Sequence, residues 1–70
     1  MKKKRFLVTF PYKLEGIIKS ILQKNQVEVF HENFGEKIDI QLEIDAESAD
    51  KFIKTITELS AGSAQIIMED

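Results

Sequence analysis

Two runs of alternating apolar and polar residues in the middle of the chain predict a β-hairpin. From Ile38 to Ile44 every second residue is apolar, which is the period of a strand that is buried on one side. The run from Val27 to Phe34 alternates similarly, and Gly35 follows it, where a two-residue turn is expected. The predicted register pairs Val29 with Leu42, because a shift by one residue would set valines against polar residues.

A strand and a helix are predicted before the hairpin. Residues 5–10 are rich in aromatic and β-branched side chains, which favour a strand, and Pro11 ends it. Between about Tyr12 and Lys24 the apolar residues follow the spacing of one helical stripe, and Asn25 is expected to stop this helix. The stripe consists of Leu14, Ile17, Ile18, Ile21 and Leu22.

A second helix and a last strand are predicted after the hairpin. Asp45 is suited to cap the helix at its N-terminus, and Gly62 lies where a left-handed C-terminal residue is wanted. Alternation from Ala64 to Met68 then predicts a strand. The apolar stripe of the second helix consists of Ala49, Phe52, Ile53, Ile56 and Leu59.

The order β-α-β-β-α-β predicts the fold class. With right-handed crossovers it gives an α+β, ferredoxin-like sandwich in which a four-stranded antiparallel sheet has the order 4-1-3-2 and both helices lie on one face. The 70 residues contain no linker or repeat, so we expect a single domain over residues 1–70.

The sheet face away from the helices combines acids with apolar side chains. The predicted register sets Glu28 opposite Glu43 and Glu32 opposite Asp39, and like charges across a ladder are destabilising. This pattern is typical of a surface that another, basic protein covers, and a solvated sheet with splayed carboxylates explains it equally well. The candidate docking face consists of Leu7, Glu28, Phe30, Glu32, Asp39, Gln41, Glu43 and Ile67.

Charge is divided unevenly along the chain. Residues 1–24 carry a net charge of +6 and residues 25–70 a net charge of −8, for a total of −2. Such asymmetry marks some nucleic-acid sites, while in a compact fold the two halves also neutralise each other. We expect the last strand to return Glu69 and Asp70 to the end of the sheet where the basic residues enter, so phosphate affinity should be weak. The candidate nucleic-acid contacts, called the basic cluster below, are Lys2, Lys3, Lys4, Arg5, Lys19 and Lys24.

Several functions found on this fold lack their characteristic residues here. The chain has no cysteine for a metal-carrying loop before the first helix, and its only arginine, Arg5, is in a strand rather than in the anion-binding loop of an acyl-phosphate hydrolase. An RNA-recognition sheet is framed by basic residues, whereas the third strand here presents acids. His31 is expected on the same side as Val29, as a packed or rim residue without a catalytic partner. We expect no enzymatic activity, cofactor or metal.

Composition also bears on location. The absence of cysteine fits a reducing cytosol, and no apolar run approaches the roughly 20 residues of a membrane span. We expect a cytoplasmic protein that does not associate with membranes.

From Phe6 to Glu69 the chain resembles the small C-terminal domain of the YigZ/IMPACT family of bacterial proteins. The resemblance rests on the strand that leads into a helix near Tyr12, on Phe34 before the turn, and on the IDIQLEI strand. Its most specific part is the helix ending Phe52-x-x-x-Ile56-x-x-Leu59-Ser60-x-Gly62, where the family more often has Thr in place of Ser60. The resemblance implies a ferredoxin-like domain that forms the C-terminal part of a longer protein.

The family's domain is similar to ferredoxin-like domains of ribosomal translocation factors, which implies a link to translation or nucleic acid. Three hypotheses for the function are open. The first is a non-enzymatic accessory module that docks on the N-terminal domain of the same protein or on a translation component. The second is a nucleic-acid-binding module that uses the basic N-terminal arm and the first helix, and the third is a ligand-binding or dimerising regulatory domain.

Overall fold

A computed structural model describes residues 2–69 and confirms the predicted order of elements. The strand order is β2-β3-β1-β4, which is the predicted ferredoxin-like order read from the opposite edge, and all neighbouring strands are antiparallel. The elements are β1 (Lys3–Phe10), a 3-10 turn (Tyr12–Leu14), α1 (Glu15–Lys24), β2 (Glu28–Phe34), β3 (Ile38–Asp45), α2 (Ala46–Ser60) and β4 (Gln65–Glu69).

The core lies between one face of the sheet and the two helices. The alternating apolar residues of β1 and β3 all point to this face, because side chains two apart in a strand lie on the same side. Both helices direct their apolar stripes at it, as predicted. The buried side chains are Phe6, Val8 and Phe10 of β1, Ile38, Ile40, Leu42 and Ile44 of β3, Ile18, Ile21 and Leu22 of α1, and Ala49, Phe52 and Ile56 of α2.

The first helix begins one turn later than predicted. Pro11 is extended, and its carbonyl accepts a hydrogen bond from the Leu14 N–H at 3.0 Å, so the chain enters α1 through a 3-10 turn. Asn25 ends the helix as expected, because its backbone N–H and its side-chain amide both donate to the Ile21 carbonyl, at 3.1 and 2.8 Å. Ile17 was predicted in the buried stripe, but it lies at the edge of the stripe and is exposed.

The second helix is not capped in the predicted way. Asp45 occupies the N-cap position, but its side chain makes no capping hydrogen bond, and its Oδ1 lies 4.0 Å from the Lys3 Nζ instead. The prediction failed because Asp45 pairs with Lys3 across the ladder and is drawn toward its ammonium group. Within residues 2–69, neither helix is long and apolar enough to span a bilayer.

The C-terminus of α2 forms a Schellman motif. The Ala61 N–H donates to the Glu58 carbonyl at 3.3 Å, and the Gly62 N–H donates to the Thr57 carbonyl at 3.2 Å. Gly62 has the predicted left-handed conformation with φ of 83°, and Ala61 before it also has a positive φ of 53°. Leu59, predicted in the stripe, is exposed, and Ser60 is buried in its place.

The hairpin departs from the predicted register through a β-bulge. Val29 pairs with Leu42 as predicted, but the register then shifts by one residue, so that His31 pairs with Gln41 and Glu32 with Ile40. The bulge lies between Val29 and His31 and contains Phe30.

The turn of the hairpin is also longer than the predicted two residues. Phe34 pairs with Ile38, which leaves residues 35–37 as the loop. Within it, the Gly35 N–H donates to the Lys37 carbonyl at 3.0 Å. The Tyr12 hydroxyl donates to the Gly35 carbonyl, which ties the turn to the start of the first helix.

Candidate functional site: the open face of the sheet

The sheet face away from the helices, called the open face below, is built from three rows of side chains that cross the four strands. Cross-strand pairing fixes the rows, because residues paired in a ladder project to the same side of a sheet. In the order β4, β1, β3, β2 the rows are Glu69, Arg5, Glu43 and Glu28; Ile67, Leu7, Gln41 and His31; and Gln65, Thr9, Asp39 and Asn33.

The first row places one arginine among three glutamates. The Arg5 Nη2 lies 3.4 Å from the Glu43 Oε2, and Glu69 is the partner of Arg5 on the other side. Glu28 lies opposite Glu43, so this predicted pair of like charges is confirmed. The guanidinium carbon of Arg5 is also 4.4 Å from the centroid of the Phe30 ring, within the range of a cation–π contact. The guanidinium of Arg5 thus contacts both Glu43 and the ring of Phe30. With three glutamates and one arginine, the row has a net negative charge.

The second row is apolar at one end and polar at the other. Ile67 is 55% exposed beside the half-buried Leu7. Gln41 reaches across β1, and its Nε2 donates to the Glu69 Oε1 at 2.9 Å. An exposed apolar strip therefore borders the carboxylates of the first row.

In the third row, a hydrogen bond from Thr9 holds the carboxylate of Asp39 in place. The Thr9 Oγ1 donates to the Asp39 Oδ1 at 2.7 Å, and both side chains are partly buried. Asn33 rather than Glu32 lies opposite Asp39. The second predicted pair of like charges is therefore wrong, because the bulge moves each later residue of β2 by one place.

The bulge changes which β2 side chains belong to the open face. Glu32 was predicted on the open face, but it pairs with Ile40 and lies on the helix side, where it lines a groove between α1 and β2 with Lys19. His31 was predicted on the side of Val29, but it pairs with Gln41 on the open face and is exposed rather than packed. Phe30 remains on the open face beneath Arg5, 46% exposed.

The basic cluster does not form one patch. Arg5 faces the open side of the sheet, whereas Lys19 lines the groove on the helix side, 3.5 Å from the Glu15 Oε2. Lys3 lies 4.0 Å from the Asp45 carboxylate. Lys2, Lys4 and Lys24 are exposed.

The last strand returns acid to the basic cluster, as predicted. Glu69 pairs with Arg5 in the β1–β4 ladder. Asp70, which was expected at the same place, lies outside the described residues. Three of the six basic side chains, those of Lys3, Arg5 and Lys19, thus have a carboxylate within 4.0 Å, and Arg5 has a second acid beside it.

The polar side chains of the open face are ordered by hydrogen bonds between strands. In the part of the chain that the structure describes, no three His, Cys, Asp or Glu side chains are grouped so as to hold a metal ion. One hydrogen bond of the open face joins the neighbouring strands β1 and β3, and another joins β3 to β4 across β1. These bonds hold the side chains of Thr9, Asp39 and Gln41 in place. A preordered polar surface of this kind can bind a partner with little loss of side-chain entropy.

Comparison of the sequence with family profiles assigns the chain to a family. The sequence profile of a domain of unknown function, DUF1949, matches residues 8–63, which run from the middle of β1 to the turn after α2. The chain belongs to the DUF1949 family. DUF1949 is the domain found at the C-terminus of YigZ/IMPACT family proteins, so the resemblance seen in the sequence is confirmed. A small domain of unknown function such as DUF1949 is not an evident catalytic family.

Solved structures share the fold of this DUF1949 domain. A crystal structure described as a hypothetical protein superposes with a TM-score of 0.86 at 13% identity and covers 97% of this chain. A crystal structure of a protein from Thermus thermophilus gives a TM-score of 0.78 at 19% identity over 96% of this chain. The DUF1949 chain spans only 33% and 10% of those two chains, respectively. No curated protein matches the sequence.

Proposed function

We propose that this DUF1949 domain is a non-enzymatic accessory module whose open face docks on a basic surface of another protein domain. The observation that carries the proposal is the first row of the open face, where Glu28 and Glu43 lie opposite one another beside the exposed ring of Phe30. Two facing carboxylates cost stability in an isolated sheet, and a cation placed between them removes that cost. The row is therefore suited to receive a lysine or arginine from a partner.

The charge of the whole open face supports a basic partner. Lys3 and Asp45 extend the face by one more cross-strand pair, beyond Arg5 and Glu43. Across the face the carboxylates outnumber the cations, and complementary charge favours both the rate of association and the choice of partner. The carboxylates are Glu28, Asp39, Glu43, Asp45 and Glu69, and the cations are Lys3 and Arg5.

Apolar side chains add the area that a contact needs. Phe30 is 46% exposed and Ile67 is 55% exposed, at opposite edges of the same face. Aromatic residues such as Phe30 are enriched in protein interfaces relative to the rest of the surface. Phe30 is held by Arg5, so its ring is positioned before a partner arrives.

The first candidate partner is the N-terminal domain of the same protein. The DUF1949 domain is found at the C-terminus of longer proteins, and a tether between two domains raises their effective concentration to the millimolar range. A component of the translation machinery is the second candidate, with its basic protein surfaces as the proposed contact. The proposed setting is the cytoplasm, which suits a chain without cysteine.

The nucleic-acid alternative has weaker support. It needs a continuous basic surface, whereas Arg5 and Lys19 lie on different sides of the sheet and each has a carboxylate within 4.0 Å. Each phosphate contact would have to compete with an existing ion pair. We therefore rank docking on a protein above binding to nucleic acid.

The docking proposal is tested by mapping a model partner onto the domain. The isotope-labelled chain is titrated with a synthetic peptide of alternating lysine and leucine, and backbone amide shifts are followed by NMR. We expect the largest shifts in β1, in β3 and at the start of β2, with Leu7, Gln41 and Glu43 among them. A peptide of alternating glutamate and leucine serves as the control, and we expect it to leave these amides unchanged.

Two results would count against the proposal. One is a set of shifts on the outer surfaces of α1 and α2, for example at Lys51 and Glu58, instead of on the open face. The other is an equal response to the acidic peptide, since charge complementarity would then have no part in binding.

A further inference from the structure

The two edges of the sheet differ in how they are protected from other strands. An unpaired edge exposes backbone N–H and C=O groups, and proteins usually blunt such an edge with bulges, charges or proline. The edge strand β2 is interrupted by the bulge at Phe30, and both Glu28 and Glu32 lie in it. It therefore carries two of the usual protections.

The opposite edge strand, β4, has neither protection over most of its length. Its pairing with β1 continues without a register shift from Gln65 to Glu69, and Glu69 is its only charged residue. Ile67 is 55% exposed and Met68 is 58% exposed, on opposite faces of the strand. A regular and apolar edge of this kind is a template for pairing with another strand.

We propose that β4 pairs with β4 of a second copy of this chain. The two strands run antiparallel, with the twofold axis passing between the two Ile67 residues. This register sets Ile66 of each copy opposite Met68 of the other, and Gln65 opposite Glu69. No like charges face one another in it, so the strand is complementary to itself as a twofold interface requires.

The pairing covers what the single chain leaves exposed. On the helix side, Met68 of one copy packs against Ile66 of the other, which is only half-buried in the single chain. On the open face, the two Ile67 side chains meet with a Leu7 on either flank. The result is an eight-stranded sheet in which both open faces form one continuous surface.

This inference is independent of the docking proposal. It concerns the backbone edge of β4 and a second copy of this chain. Docking concerns a basic partner and the carboxylates of the open face, of which four lie on β2 and β3 and only Glu69 lies on β4. Either of the two can fail alone.

The oligomeric state of the 70-residue chain tests the inference. Sedimentation equilibrium between about 1 μM and 1 mM should show a monomer–dimer equilibrium. Ile67→Lys and Ile67→Glu should each raise the dimer dissociation constant at least about tenfold, because like charges meet at the twofold axis. An equimolar mixture of the two variants should restore a dimer, because Lys then meets Glu.

Phe34→Lys is the matched control for these variants. Phe34 is 53% exposed on the opposite edge strand, so the substitution adds the same charge at a similar exposure and should leave the dimer unchanged. A wild-type chain that stays monomeric at 1 mM overturns the inference whether or not the variants fold, and this is also the result expected if β4 pairs with a strand of another protein. A mixture of the Lys and Glu variants that remains monomeric overturns the twofold register.

Discussion

Glu28 and Glu43 lie directly opposite one another in the ladder between β2 and β3. Among residues 2–69, the only cation within 4.0 Å of either carboxylate is Arg5, which lies 3.4 Å from Glu43. Arg5 belongs to β1, and its guanidinium reaches over β3 to the ring of Phe30 in β2, but it does not come within 4.0 Å of the Glu28 carboxylate. The guanidinium therefore pairs directly with Glu43 alone, and we expect part of the repulsion between the two acids to remain.

Removing the charge of Glu28 should stabilise the isolated domain. We expect Glu28→Gln to raise the free energy of unfolding by about 0.2–1 kcal/mol, the range of cross-strand charge effects. Urea denaturation of both proteins measures the difference. Glu36→Gln, which removes the same charge from an exposed position in the hairpin loop, should change stability by less. A less stable Glu28→Gln would mean that the two carboxylates splay apart and do not repel.

The position of Glu28 was predictable, whereas the residues after it were not. Alternation fixed β3 and its pairing with Val29, since a buried strand in the middle of a sheet tolerates only one register. β2 is an edge strand that is exposed along its whole length, so its own pattern constrains its register weakly. The sequence of β2 contained one indication of the bulge. A regular register would have put two polar residues, His31 and Asn33, on the helix side, whereas the bulge places Glu32 and Phe34 there.

The failed helix cap has a different cause. Asp45 has the residue type and position of an N-cap, and local sequence rules consider only the residues of its own helix. Its carboxylate instead lies 4.0 Å from the ammonium group of Lys3, which the pairing of β1 with β3 brings alongside from the N-terminal strand. Contacts between residues far apart in sequence decide such details, whereas the apolar periodicity that fixes the core is local.

Gly16 should be replaceable by alanine with a gain in stability. It lies in the first turns of α1, and a Cβ added there would meet nothing within 4 Å. Glycine costs about 0.5–1 kcal/mol relative to alanine in a helix interior and less in the first turn, so Gly16→Ala should raise the melting midpoint by a small amount. The midpoint is read from thermal unfolding followed by circular dichroism. A lowered midpoint would contradict the open surroundings of Gly16.

Ala61 should be improved by glycine, for the opposite reason. Its φ of 53° is left-handed, which costs an L-residue about 1–2 kcal/mol. Glycine avoids this cost, but its greater conformational freedom in the unfolded chain offsets part of the stabilisation. We expect Ala61→Gly to stabilise the domain by roughly 0.5–1 kcal/mol in urea denaturation.

A control variant separates this effect from a general response to glycine. Ala46→Gly, at the first residue of α2, should destabilise the domain or leave it unchanged. If both variants lost stability to the same extent, the left-handed conformation of Ala61 would not be the cause of the first effect.

Nucleic acid should bind weakly. Lys3, Arg5 and Lys19 each have a carboxylate within 4.0 Å, so we expect no dissociation constant below about 10 μM at physiological salt, within the non-specific range. Fluorescence anisotropy with labelled single-stranded and duplex RNA, at two salt concentrations, measures it. The prediction fails if micromolar binding survives the higher salt and is lost in a Lys19→Glu, Lys24→Glu double variant.

The affinity of Glu28→Gln for the lysine–leucine peptide, compared with that of Glu58→Gln, tests the role of the open face most directly. Both variants lose one exposed carboxylate, but only Glu28 belongs to the open face. Exposed ion pairs contribute about 0.2–1 kcal/mol, so Glu28→Gln should bind the peptide up to about fivefold more weakly than the wild type, and Glu58→Gln should bind it as the wild type does. Equal losses of affinity in both variants, or a loss in Glu58→Gln alone, would contradict docking through the open face.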